Sequence, residues 1–128
     1  IIVPNNAPYP VVKSVFRYGE TVRYKVDFCI LQDTTIRAEL QFVLIRLTDS
    51  ETLLTTPGAT VTQIFPVSNT RLVVTRPKGC FVGESGFVKV PDHLPPGVYR
   101  LRLLTVSSVN WLKDVTEATE TTEFEVVP

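Results

Sequence analysis

The alternation of apolar and polar residues is the feature that most constrains the fold of this chain. Between Thr21 and Ile30 every even position is apolar, and the odd positions except Cys29 are polar or charged. Such a period of two puts successive side chains on opposite faces of a half-buried strand. The same pattern recurs at 36–44, 98–103 and 121–126, and nowhere does an apolar period of 3.6 residues persist. The sequence therefore predicts an all-β protein.

Turn signals divide the chain into short strands. Asp49, Pro57-Gly58 and Pro77 to Gly79 are examples, and such signals recur roughly every 8–14 residues, a spacing typical of a β-sandwich. We predict seven to nine strands in a two-sheet antiparallel sandwich of immunoglobulin-like type. Residues 11–128 would form this single domain, and residues 1–10, with three prolines, would be an extended lead-in or linker end. The predicted strands cover 11–18, 21–30, 35–47, 53–54, 60–67, 71–76, 80–90, 98–106 and 119–127, and residues 107–114 are predicted to form a loop.

Charge and hydropathy argue against a nucleic-acid partner and against a membrane-spanning helix. Thirteen basic residues balance thirteen acidic ones. A nucleic-acid-binding protein normally carries a basic excess that neutralises phosphates, so no nucleic-acid partner is expected. No stretch approaches the roughly 18 apolar residues of a spanning helix, so the chain is not expected to span a membrane.

The two cysteines bear on the compartment of the protein. Cys29 and Cys80 could form a disulfide, as an even number of cysteines in an exported chain suggests, or could be two reduced core thiols. The chain contains no methionine and starts at Ile1, which favours a processed mature form or one module of a larger exported chain. We therefore expect an extracellular, cell-surface or periplasmic protein.

Three segments resemble parts of known sandwich families. The run from His93 to Leu103 (HLPPGVYRLRL) is similar to the proline-glycine-tyrosine segment that opens the penultimate strand of immunoglobulin-like and fibronectin type III-like domains. The resemblance implies that Tyr99 forms a tyrosine corner, and Gly97 would provide a positive φ before it. The runs 16–22 and 122–126 resemble other strands of these families. Trp111 follows both cysteines, whereas antibody-type domains place a tryptophan between them.

The order of these segments is also similar to that in the carbohydrate-binding sandwich of O-antigen-exporting ABC transporters, and in macroglobulin-like and bacterial surface repeats. These resemblances imply the sandwich architecture, the transporter domain also implies carbohydrate binding, and none of them assigns functional residues. The residues offer little catalytic chemistry: His93 is the only histidine, and no metal-ligand cluster or phosphate-binding loop occurs. We expect no enzyme activity, no cofactor and no metal.

Four residues are candidate contacts for a ligand or partner. Trp111 and Tyr9 lie in predicted loops, where an aromatic ring could stack on a sugar or a protein, although Trp111 could instead cover one end of the core. Arg100 and Arg102 could contact a partner, or could pair internally with Glu123 and Glu125. The favoured hypothesis is a non-catalytic module that engages a protein partner in adhesion, spacing or assembly. The alternative is a carbohydrate-binding module that uses loop aromatics.

Overall fold

The described residues fold as an all-β protein, as predicted. The computed structural model describes residues 2–47, 63–110 and 113–128, and these form nine strands and no helix. None of them therefore belongs to a helix long and apolar enough to cross a membrane. The strands are β1 (Ile2–Pro4), β2 (Val15–Arg17), β3 (Thr21–Ile30), β4 (Thr34–Leu47), β5 (Gln63–Arg76), β6 (Gly79–Lys89), β7 (Gly97–Asn110), β8 (Lys113–Glu120) and β9 (Phe124–Val127).

Two sheets make up the sandwich. The small sheet has the order β1-β3-β6, and all its pairs are antiparallel. The large sheet has the order β2-β9-β7-β4-β5, with β8 also paired to β7. Within it only β2 and β9 run parallel to each other. Strand β7 pairs with β9 over its first three residues and with β8 from Arg102 onward.

Several predicted segments differ from the structure. The strands predicted at 60–67 and 71–76 form the single strand β5 where they are described, and the strand predicted at 11–18 is limited to β2. The predicted lead-in supplies β1, which pairs with the end of β3 and so belongs to the sandwich. The loop predicted at 107–114 is instead largely the paired ends of β7 and β8, because Ser107 and Ser108 continue the ladder opposite Val115 and Asp114. The strand predicted at 119–127 is interrupted at Thr121, whose backbone N–H donates to the Leu101 carbonyl oxygen. Predictions for 49–58 lie outside the described residues.

A cluster of buried aromatic and aliphatic side chains occupies much of the space between the two sheets. The Phe16 and Phe124 rings meet edge to face with centroids 5.5 Å apart, and Phe42 meets Tyr99 in the same way at 6.1 Å. Such pairs stabilise by about 0.5–1.5 kcal/mol beyond the area they bury. The buried residues of the cluster are Tyr9, Phe16, Val22, Tyr24, Leu40, Phe42, Leu44, Val88, Val90, Leu94, Tyr99, Leu101, Phe124 and Val126.

The turn before β7 forms the predicted tyrosine corner. The Tyr99 ring is fully buried, and its hydroxyl donates to the Pro95 carbonyl oxygen at 2.5 Å. Gly97 is needed for a different reason from the one predicted, since it is not among the glycines with positive φ. A Cβ at Gly97 would lie 2.5 Å from the Arg46 carbonyl oxygen, so the close approach of β4 excludes a side chain.

A disulfide joins Cys29 to Cys80, which confirms that pairing. The two residues lie directly opposite each other on β3 and β6, with their Cα atoms 4.0 Å apart. The bond therefore links neighbouring strands of one sheet, whereas the antibody-type bond crosses between sheets. Disulfides persist in oxidising compartments, so this bond is consistent with an extracellular or periplasmic environment.

Candidate binding surfaces

The outer face of the small sheet carries exposed apolar and basic side chains side by side. On β3, the odd positions that face away from the core include Arg23 and Lys25, and on β6 the outward residues include Phe87 and Lys89. The ladder places Arg23 opposite Phe87. We call the surface formed by Arg23, Lys25, Val82, Phe87 and Lys89 the basic face.

Two apolar side chains of the basic face are unusually open to solvent. Phe87 is 65% exposed and Val82 is 80% exposed. The Arg23 guanidinium carbon lies 5.8 Å from the centroid of the Phe87 ring, which is within the range of a cation–π contact. An exposed ring held beside a cation is a typical anchor for a protein partner, since aromatic residues and arginine dominate interface hot spots.

The three cations of the basic face form no ion pair with any described carboxylate. Lys25 Nζ donates to Ser85 Oγ at 2.8 Å, which leaves its charge uncompensated. The nearest acid along β3, Asp27, accepts a hydrogen bond from the Gly83 backbone N–H at 2.7 Å. The basic face therefore presents an excess of positive charge, although the whole chain is neutral.

The outer face of the large sheet, in contrast, balances its own charges. Arg100 contacts Glu123 at 3.2 Å and Glu120 at 3.8 Å, and Arg102 contacts Glu120 at 3.5 Å. The predicted partner Glu125 instead lies opposite Val98, because the chain leaves the ladder between β8 and β9. These arginines therefore have internal partners, which makes them weaker candidates for an external contact than the cations of the basic face.

Of the two candidate aromatic residues, Tyr9 and Trp111, the structure describes only Tyr9. Trp111 lies outside the described residues. Tyr9 is not a surface residue, because its side chain packs into the core and is only 3% exposed. Its backbone is held by β8 and the segment after it: the Tyr9 N–H donates to the Glu120 carbonyl, and the Thr122 N–H donates to the Tyr9 carbonyl.

A cavity of about 180 Å³ lies between the two sheets beside the buried cluster. Two polar contacts lie at its wall. Arg76 pairs with Glu84 at 2.7 Å, and Glu117 Oε1 accepts a hydrogen bond from the Ile2 N–H at 3.3 Å. The lining residues are Ile2, Pro4, Tyr9, Tyr24, Val26, Phe28, Ile36, Ala38, Arg76, Glu84, Ser85, Gly86, Leu103, Thr105, Glu117 and Thr119.

Two tyrosines in the cavity wall have raised pKa values. Burial, with a smaller contribution from Tyr9, raises the pKa of Tyr24 to about 12. The pKa of Tyr9 is also raised, chiefly by burial and slightly by the Glu117 charge, while the Thr119 side chain acts in the opposite direction. Both phenols are therefore neutral at physiological pH.

His93 and the two cysteines do not form a catalytic pair. His93 is exposed in the turn that precedes the buried Leu94, and both cysteine sulfurs are held in the disulfide. Within residues 2–47, 63–110 and 113–128, no group of three His, Cys, Asp or Glu side chains could hold a metal ion.

Comparisons with known proteins identify no family for this chain. No family model matches it, and no curated protein matches it. Among solved structures, it is similar to the sporulation control protein Spo0M from Bacillus subtilis, with 17% identity and a TM-score of 0.45 over 98% of this chain and 49% of that one. It is also similar to the alkylpurine DNA glycosylase AlkC from Pseudomonas fluorescens, with 11% identity and a TM-score of 0.42 over 98% of this chain and 30% of that one. The chain thus spans half or less of each protein, and neither likeness assigns it a function.

Proposed function

We propose that this chain is a non-catalytic, immunoglobulin-like binding module of an exported or cell-surface protein, and that its basic face binds an acidic protein partner. The observation that carries the proposal is the cluster of uncompensated cations around the exposed Phe87 ring. The disulfide between Cys29 and Cys80 supports an exported location.

The chemistry of the basic face suits a partner segment that combines carboxylates with an apolar side chain. Arg23, Lys25 and Lys89 would attract carboxylates and orient the encounter, because opposite potentials steer association. Phe87 and Val82 would supply the apolar contact area that gives most of the binding free energy. The contact between Arg23 and Phe87 holds both side chains near each other before binding, which reduces the entropy lost on association.

The partner is expected to dock on the face of the small sheet and not on the edge of β6. Edge strands that avoid pairing with other chains often carry bulges and lysines. The pairing of β3 with β6 shifts register between Val26 and Phe28, and Gly83 has a φ of 70°. Lys89 adds a charge near the end of the same strand. These features disfavour the addition of a further strand along β6.

The dimensions of the basic face point to a small interface. Val82 and Lys89 are seven positions apart on β6, which corresponds to about 23 Å at the usual rise of a strand. The width is about two strands, or roughly 10 Å. A short extended segment of a partner fits such a patch, with the modest affinity of a transient interface.

Selection from a displayed library of random peptides tests this proposal. The protein would be used as bait, and the selected peptides would be measured against three variants: Phe87→Ser, the double variant Arg23→Glu with Lys25→Glu, and Val15→Ser. The last is a matched control, since Val15 is 43% exposed but lies on β2 of the large sheet. We expect enriched peptides rich in Asp and Glu with one large apolar residue.

The expected peptides lose at least tenfold in affinity with Phe87→Ser and with the charge-reversal variant, and they bind Val15→Ser like the unchanged protein. Their affinity also falls as salt is raised, because exposed charges are screened. Selected peptides without acidic residues, or peptides that bind Phe87→Ser unchanged, would refute the proposal. Binding on a glycan array that is lost with Trp111→Ala would instead favour a carbohydrate-binding module.

A further inference from the structure

The cavity between the sheets has the size and lining of a ligand site. Its walls come from both sheets, with Val26 and Phe28 on β3, Ile36 and Ala38 on β4, and Leu103 on β7. Its volume is about 180 Å³. An apolar protein cavity of roughly 150 Å³ is large enough to hold benzene. The space between these sheets therefore fits one aromatic ring with one or two small substituents.

The Tyr24 hydroxyl is a polar group in this cavity that lacks a protein partner. The residue is only 4% exposed, and among the described residues nothing accepts a hydrogen bond from its hydroxyl. The tip of its ring lies over Gly86, where an added Cβ would come 2.4 Å from the hydroxyl oxygen. Among the described residues, Ser107 Oγ is the one fully buried side-chain polar atom without a hydrogen bond, so the Tyr24 oxygen keeps some access to the cavity. A ligand in the cavity can therefore accept a hydrogen bond from Tyr24.

The charges around the cavity favour a neutral ligand. The Arg76 guanidinium is already paired with Glu84 at 2.7 Å, and it also lies 4.7 Å from the centroid of the Phe81 ring. Glu117 adds a second carboxylate, which accepts a hydrogen bond from the Ile2 N–H. An anion would meet two carboxylates and no unpaired cation. A cation would lose its hydration among the apolar side chains, and the two carboxylates are partly exposed, so water already solvates their charge.

We propose that the cavity between the sheets binds a small neutral aromatic molecule of the phenol class, with its ring among Val26, Ile36 and Leu103 and its oxygen accepting a hydrogen bond from the Tyr24 hydroxyl. This site lies between the sheets, whereas the basic face lies on the outside of the small sheet. The two proposals are therefore independent and can fail separately.

The experiment compares two probes, p-cresol and toluene, which differ in a single hydroxyl. Binding of each to the full chain would be measured by isothermal titration calorimetry. Intermolecular nuclear Overhauser effects would be recorded between the probe methyl group and the methyl groups of Ile36 and Leu103. Three variants would be measured alongside: Tyr24→Phe, Ala38→Leu and Gln41→Leu. Ala38→Leu fills the cavity from β4. Gln41→Leu adds the same side chain on the other face of β4, where Gln41 lies opposite Arg102.

We expect p-cresol to bind the unchanged protein saturably and more tightly than toluene. Tyr24→Phe should weaken p-cresol five- to tenfold and leave toluene unchanged. Ala38→Leu should weaken both probes at least tenfold, and Gln41→Leu should change neither. If Ala38→Leu does not fold, the comparison of probes in Tyr24→Phe and the Overhauser contacts decide the question.

Three results would overturn the proposal. The first is the absence of saturable binding of p-cresol up to its solubility limit. The second is equal loss of p-cresol and toluene binding with Tyr24→Phe, which would exclude the hydrogen bond. The third is unchanged binding in a folded Ala38→Leu variant, or Overhauser contacts only to surface residues.

Discussion

Two buried tyrosines should respond differently to the same substitution. Tyr99 donates a hydrogen bond to the Pro95 carbonyl, whereas Tyr24 has no described acceptor. Both rings are buried, at 0% and 4% exposure, so Tyr→Phe keeps the ring packing at both positions. The pair therefore isolates the contribution of one hydrogen bond in the same core, and each variant serves as the control for the other.

The expected magnitudes follow from the hydrogen-bond partners. Tyr99→Phe removes a buried bond and leaves the Pro95 carbonyl without its donor, which should lower the free energy of unfolding by about 1–3 kcal/mol. Tyr24→Phe removes a hydroxyl that makes no hydrogen bond within the described residues, so the free energy of unfolding should change by less than about 1 kcal/mol. In urea, with a slope of about 2 kcal/mol per molar, the two midpoints should separate by roughly 0.5–1.5 M.

Equilibrium unfolding in urea at neutral pH, followed by far-UV circular dichroism, measures this difference. The slope of the transition must stay the same in both variants, so that a shift of the midpoint reports stability alone. A loss of stability in Tyr24→Phe as large as that in Tyr99→Phe would contradict this prediction, because it would mean that the Tyr24 hydroxyl is bonded in the folded protein.

Three further outcomes are expected. Gly86→Ala should lower the free energy of unfolding by about 1–3 kcal/mol, because the new Cβ would lie 2.0 Å from Tyr24 Cζ and force the ring to move. An unchanged urea midpoint would contradict this packing. The double variant Cys29→Ala with Cys80→Ala should lose about 4 kcal/mol, as the chain-entropy model gives for a loop closed over 51 positions, and a loss below about 1 kcal/mol would contradict the role of the bond. The pKa of Tyr24 is about 12 in the folded chain, against 10.0 for a free tyrosine side chain, so the unfolded chain loses this proton first. Stability that is present below pH 10 should therefore fall by up to about 2–3 kcal/mol as the pH rises to 12. Urea midpoints across this range should fall less in Tyr24→Phe, and equal losses would contradict the shift in pKa.

Strands with one buried face were predictable from the sequence. The bounds of β3 agree with the prediction from Thr21 to Ile30, because this strand buries alternate side chains while the others face solvent. The tyrosine corner was also predictable, since Tyr99 and the prolines before it lie close together in sequence. In both cases the controlling interactions are local or follow from a strict period.

Segments whose structure depends on distant pairing were not predictable. Ser107 and Ser108 suggest a loop by composition, but β4 and β8 pair with them on both sides. Pro4 suggests a linker, yet it pairs opposite Phe28 at the edge of the small sheet, where a missing N–H is tolerated.

Predicting the basic face also requires knowledge of strand pairing. The alternation showed that Arg23 and Lys25 share the outer side of β3. Nothing in the sequence indicated that Phe87 would lie opposite Arg23, more than sixty positions later. The exposed ring and its neighbouring cation therefore become a candidate site only once β3 and β6 are known to be neighbours.

The most direct test of the proposed function maps where an acidic peptide contacts the protein. A peptide selected as described above would be titrated into the isotope-labelled chain, and the backbone amide shifts would be followed by nuclear magnetic resonance. If the basic face binds the peptide, the shifts should be saturable and centred on Arg23, Lys25 and Phe87, with little change at Arg100 and Arg102. Shifts that centre on the outer face of the large sheet, or on residues around Trp111, would contradict it.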